Sequence, residues 1–294
     1  MGIDKEFYNE ASASKLGWEP NWFLDNHFEF DSKLTSAIRK FQRDVGLKAD
    51  GMCGPITYRR IFTQRESSSN KVRREVSSSS EVLWHRNQPI PINWDKVVTF
   101  KDDDCFKLTG GRKRYGSRKR NIKYFVTHWD ACLSSESCVR VLNKRNLSVH
   151  FCIDNDGTIY QLMDLNDAAY HAGGGHNTNS VGVEISNAYY TKYQSWYKRN
   201  GFGERPLITD AKLHGRSMKP FTDFYPVQKE ALKALYEACH NGLGIPLEAP
   251  KTKWGVDPDC KAKKFRGFCN HYHLTRGKID CAGLDIEKIL SEIK

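Results

Sequence analysis

No two of the nine cysteines are spaced as Cys-x-x-Cys. That absence argues against zinc ribbons and thioredoxin-like redox motifs, and the odd count leaves at least one thiol unpaired in a monomer. Most of the thiols are expected to be reduced and buried as small apolar groups. Long apolar runs are also missing. No stretch approaches the roughly 20 residues that a membrane-spanning helix needs, so no integral membrane segment is expected. The first residues, Met1-Gly2-Ile3-Asp4-Lys5-Glu6, lack a basic start followed by an apolar run, and so do not read as a secretory signal. The expectation is a soluble chain made in a cytoplasm, which another agent must release if its target lies outside. Internal repeats are absent. Acidic residues are the minority charge: 35 Asp and Glu against 46 Lys and Arg give a formal net charge of +11. Such a balance favours anionic partners (nucleic acid, acidic wall polymers, membrane surfaces) without choosing among them.

What is present is enough for a core. Of 294 residues, 39% are hydrophobic, including 15 Phe, 13 Tyr and 7 Trp, which excludes global disorder. Residues 66–82 read ESSSNKVRREVSSSSEV, rich in serine and charge, the composition of a flexible linker. They separate a small module, residues 1–65, from a large one, residues 83–294. In the small module Asp31 or Ser32 can cap a helix carrying Leu34, Ala37, Ile38 and Phe41 on one face. Gly46 suits its end, Asp50-Gly51 and Gly54-Pro55 mark turns, and Thr57 is placed to start a second short helix through Tyr58 and Ile61.

The string Leu34-x-x-Ala37-Ile38-x-x-Phe41-Gln42-x-x-x-Gly46-Leu47-x-x-Asp50-Gly51-x-x-Gly54-Pro55-x-Thr57 resembles the common helical peptidoglycan-binding domain, over about Phe28 to Phe62. The resemblance implies a small all-α, three-helix domain with peptidoglycan as its partner.

The large module alternates strands with helices. IKYFVT (122–127), SVHFCID (148–154) and SVGVEIS (180–186) read as strands, and Asn155-Asp156-Gly157 as a hairpin turn into Thr158–Leu162. Residues 228–239 carry Ala231, Leu232, Leu235 and Ala238 at helical spacing. The class read from this is α/β, with a mixed central sheet flanked by helices.

Three places carry chemistry: His128 at a strand end, Glu184 in an otherwise apolar strand, and the segment from His271 to Gly283. A hydrolytic zinc takes three protein ligands from His, Asp/Glu and Cys and leaves a position for water. His128, one histidine near 271, and Asp280 or Cys281 can supply that set. Glu184 fits a proton acceptor and Lys278 an oxyanion-stabilising cation.

FVTHWDA, SVHFCIDNDGTIYQL, HAGGGHNTNSVGVEIS and NHYHLTRGKIDCAG, in that order between about Tyr124 and Gly283, resemble the type 2 N-acetylmuramoyl-L-alanine amidases. These share a fold with peptidoglycan recognition proteins and amidase-type phage lysozymes. The resemblance implies a Zn2+ cofactor held by His128, His271 and Asp280, with Glu184 as general base and Lys278 on the oxyanion. It also implies a substrate, the bond between N-acetylmuramic acid and L-alanine, and an endolysin-like monomer released from a host cytoplasm to the cell wall. Asp280 is followed by Cys281, an alternative third ligand, and His273 neighbours His271. Val149 occupies the place of a tyrosine that assists some members. The resemblance points to His171, in its HAG motif, as a substrate-binding residue; His150 and Asn179 are further cleft candidates. The basic stretch Arg112–Arg120 reads as a solvated loop, and its lack of aromatic interleaving beyond Tyr115 does not suggest nucleic acid. A non-catalytic peptidoglycan-binding protein is the alternative function.

Overall fold

A computed structural model describes residues 3–69 and 80–293. The chain divides into two compact units, residues 1–71 and 72–294. Most of the expected linker, residues 70–79 of 66–82, lies outside the described residues.

The smaller unit contains α1 (Lys5–Leu16), α2 (Ser32–Asp44) and α3 (Pro55–Ser67). Asp31, rather than Ser32, caps α2: its carboxylate accepts from the Leu34 amide at 2.9 Å. The helix buries Leu34, Ile38 and Phe41, and Phe41 and Val45 pack with Ile61. Thr57 does not start α3. Pro55 does, with Gly54 before it, because proline's fixed φ and missing N–H suit the first helical turn. α1 escapes a pattern-based reading because it buries only Asn9, Ala13 and Leu16, too few apolar residues to mark a face. The Asp-Gly turn is held by the buried Gln42 side chain, whose Oε1 accepts from Gly51 N at 2.8 Å. Gly51 has φ +80°, and a Cβ there would stand 2.8 Å from Thr35 Cγ2, so both conformation and space require glycine.

The larger unit is built on a six-stranded sheet. Its strands are β1 (Val97–Thr99), β2 (Tyr124–Trp129), β3 (Phe151–Ile153), β4 (Ile159–Gln161), β5 (Ser180–Ile185) and β6 (Gly267–Asn270). The order across the sheet is β6-β2-β5-β3-β4-β1. All neighbours are parallel except the β3–β4 hairpin, closed by the expected turn in which Gly157 N donates to Asp154 O at 3.0 Å. Side chains alternate between the two faces of each strand. Phe125, Trp129, Val181, Val183, Phe151 and Ile153 enter the main core with α4 (Pro226–Leu243), which buries Ala231, Leu232, Leu235 and Tyr236 there. The other face carries Tyr124, Val126 and His128 on β2, and Ser180, Gly182 and Glu184 on β5. Along this face Tyr124 and Val126 pack with Cys260, Phe265 and Cys269. All nine cysteines are free and buried. Among the described residues no helix is long and apolar enough to cross a membrane.

Candidate metal centre

Strand register assembles the site. Asn270, the last residue of β6, pairs with Thr127, so His271 emerges beside His128. His128 pairs with Glu184 across the parallel β2–β5 ladder, which puts the two side chains on the same face. Past His271 the chain makes an exposed turn, with Lys278 N bonded to Thr275 O at 3.2 Å, and returns at Asp280. Asp280 Oδ2 lies 2.9 Å from His128 Nδ1 and 2.9 Å from His271 Nδ1. Ligand atoms of these three residues all lie within 4.8 Å of one another, and all three residues are buried.

The electrostatics suit a cation. Burial, together with the neighbouring His271, pushes the His128 pKa down to about 4, so its ring is neutral near pH 7 and able to ligate. Burial opposes ionisation of Asp280, but the imidazoles of His271 and His128 against it hold its carboxyl well below the usual carboxylate range. Two imidazole nitrogens and an ionised carboxylate converging on one point form the donor set of a hydrolytic zinc site, and the residues present fit that group.

The alternatives separate cleanly. Cys281 is fully buried in the main apolar core with Tyr272 and Leu284, and is not part of the converging group. His273 accepts from Asn270 N through Nδ1 at 2.9 Å and turns its Nε2 to Lys253 O. Lys278 stays exposed on its turn, with its carbonyl bonded to His214 Nε2 at 2.9 Å. Beside that turn a cleft of about 570 Å³ is lined by His214, Trp254, Lys261, Thr275 and Arg276.

Of the three expected substrate-binding residues, His150 lies inside the fold. It is wholly buried, Gly182 N donates to its Nδ1 at 3.1 Å, and its Nε2 faces Asp167 O at 2.9 Å. Both ring nitrogens are engaged inside the fold. Asn179 spends its side chain on Asn121 O at 2.9 Å and braces the start of β5. His171 lies in the site but turns toward His128: its Nδ1 is 2.9 Å from His128 Nε2, and its Nε2 is 3.1 Å from Ser180 Oγ. Gly182 makes this possible, since a Cβ there would stand 2.5 Å from two atoms of the His171 ring.

The basic stretch needs correction at its end. Arg118 and Lys119 are exposed, but Arg120 is 2% exposed, and its guanidinium bonds the carbonyls of Leu165, Ser180 and Asn177 at 2.6, 2.7 and 3.2 Å. Desolvation pushes its pKa down to about 10, which leaves it charged near neutrality. A run of like charges gives no signal that one member turns inward, so Arg120 was invisible in the sequence.

Residues 118–256 match the family model of N-acetylmuramoyl-L-alanine amidase, and residues 27–61 match that of a putative peptidoglycan binding domain. His271 and Asp280 lie beyond the first match, and the sheet brings them to His128. No curated protein matches the chain. Among solved structures, the chain is similar to the amidase AmiD from E. coli, bound to an anhydro-N-acetylmuramic acid peptide, at 21% identity and TM-score 0.32. That similarity covers 46% of this chain and 49% of AmiD, so the chain spans about half the length of that relative. It is also similar to the endolysin amidase LysCS from Clostridium intestinale (16% identity, 67% and 94% covered, TM-score 0.36). A third similarity is to Drosophila PGRP-LB in complex with tracheal cytotoxin (15% identity, 67% and 94% covered, TM-score 0.38).

Proposed function

We propose that this chain, which joins an N-acetylmuramoyl-L-alanine amidase domain to a putative peptidoglycan-binding domain, is a zinc-dependent enzyme that cuts bacterial peptidoglycan between N-acetylmuramic acid and L-alanine. The observation that carries the reading is the convergence of His128, His271 and Asp280 within 4.8 Å, inside and just beyond the region that matches the amidase family. Zinc held there would polarise the amide carbonyl and acidify water. The Glu184 carboxylate, beside His128 on the neighbouring strand, takes the proton of the attacking water and returns it to the leaving alanine nitrogen. The Lys278 ammonium, on its exposed turn, meets the negative charge that develops on the carbonyl oxygen. Lys261 and Arg276 in the adjoining cleft suit the carboxylates of a stem peptide.

The small unit holds the chain on the insoluble polymer and raises the local concentration of the catalytic unit there. This pairing of a wall binder with an amidase supports an endolysin-like role, in which the protein is made in a host cytoplasm, acts as a monomer and reaches the wall on release. Mass spectrometry of digested sacculi is the direct test. Free stem peptides beginning with alanine, lost on chelation and restored by zinc, are expected. Wall binding with no release of peptides would instead mark a recognition protein. Glu184→Ala should keep its zinc and lose about 10²–10⁴-fold in rate; wild-type lysis by that variant removes Glu184 from the reaction.

A further inference from the structure

His171 sits in a line of hydrogen bonds that begins at a backbone carbonyl and ends at the metal centre. The Ser180 hydroxyl lies 2.9 Å from His176 O and 3.1 Å from His171 Nε2. A carbonyl oxygen only accepts, so the single hydroxyl proton of Ser180 goes to it. Ser180 Oγ then offers His171 only lone pairs, and His171 Nε2 must carry the proton of that contact. In a neutral imidazole the other nitrogen accepts. His171 Nδ1 therefore accepts, and His128 Nε2, 2.9 Å away, donates.

We infer that Ser180 and His171 form a relay that sets the tautomer of His128, leaving its Nδ1 as a bare lone pair aimed at Asp280 and the metal. The inference rests on the zinc reading of this centre. At the inner end of the relay the bare Nδ1 faces Asp280 Oδ2 at 2.9 Å, two electron-rich atoms in contact, and a cation between them turns that contact attractive. The other polarity of the relay would place a proton on His128 Nδ1, where it blocks a metal bond, and would leave His176 O facing a lone pair of Ser180. Ligating histidines usually give their second N–H to a carboxylate, a carbonyl or water. Here the acceptor is a second imidazole, whose own orientation is set one step further out. Neither His171 nor Ser180 donates to the metal set; both are positioning residues. Gly182 belongs to the same device, because its missing Cβ is the space that the His171 ring fills.

The test has two readouts on the full chain. Nitrogen-15 imidazole spectra of the metal-stripped protein should show His128 protonated on Nε2, and in Ser180→Ala and His171→Leu that preference should be lost. Titration of zinc alone against a competing chelator should show affinity weakened about 10–100-fold in His171→Leu. His171→Asn, whose side-chain oxygen can accept where Nδ1 does, should restore most of it. A wild-type protein with His128 protonated on Nδ1 overturns the relay, as does a His171→Leu protein that binds zinc as tightly as wild type. Equal losses in the Asn and Leu variants reduce His171 to packing and also overturn it. If His171→Leu does not fold, Ser180→Ala decides the matter through the same spectra and titration. Wild-type protein with no zinc affinity would refute the zinc reading, while the spectra would still report whether the relay exists.

Discussion

Replacing Gly182 by alanine adds one methyl group at the place where the His171 ring now lies. The new Cβ would stand 2.5 Å from both Cε1 and Nδ1 of that ring. Reaching ordinary contact requires a retreat of about 1 Å. The ring cannot make it freely, since it is bonded to His128 at 2.9 Å on one side and to Ser180 at 3.1 Å on the other. Overpacking a close-packed interior costs about 1–3 kcal/mol, and each strained hydrogen bond adds about 1 kcal/mol. A total of about 3–5 kcal/mol should lower the melting temperature of the larger unit by roughly 6–20 °C. Thermal unfolding followed by circular dichroism measures it. Gly182 adopts no positive φ, so the cost is one of space and not of backbone conformation, and this gives a control. In a His171→Ala background the methyl has room, and Gly182→Ala should then cost little. Additive costs in the double variant would refute the steric explanation, as would an unshifted melting temperature in Gly182→Ala alone.

Asp280→Ala should purify without zinc by atomic emission, whereas Cys281→Ala should keep the metal and lose only about 1 kcal/mol of packing; the reverse pattern would make the thiol the ligand. Arg120→Met leaves the carbonyls of Leu165 and Ser180, both buried, and that of Asn177, partly buried, without this donor and should cost about 3 kcal/mol in urea unfolding, against under about 0.5 kcal/mol for the exposed Arg118→Ala. Gln42→Leu removes the acceptor of the Gly51 amide and should destabilise the small unit by about 1–3 kcal/mol. Faster hydrogen exchange confined to the amides around residues 51–57, with zinc content unchanged, would report it.

The sequence offered the candidates one by one, and only the resemblance of its four motifs to the type 2 amidases joined His128, His271 and Asp280 into one set. His128 ends an apolar strand, Glu184 interrupts another, and His271, Lys278 and Asp280 crowd one short segment. The strands themselves were legible from their apolar runs, and the Asp-Gly and Gly-Pro turns from residues with few other uses. Helix α1 was not, because its apolar residues are too sparse to show a period. What only the tertiary structure decided is direction. Asp280 and Cys281 are adjacent and both can bind zinc, yet neighbouring side chains diverge, and the fold sends one to the histidines and the other into the core. His150 and His171 look alike as single histidines in a polar context; one is closed off inside the sheet and the other leans on His128. Arg120 ends a basic run but turns inward to three carbonyls. Composition and spacing say which groups a chain owns. Strand register, which pairs Asn270 with Thr127 and His128 with Glu184, says which of them meet.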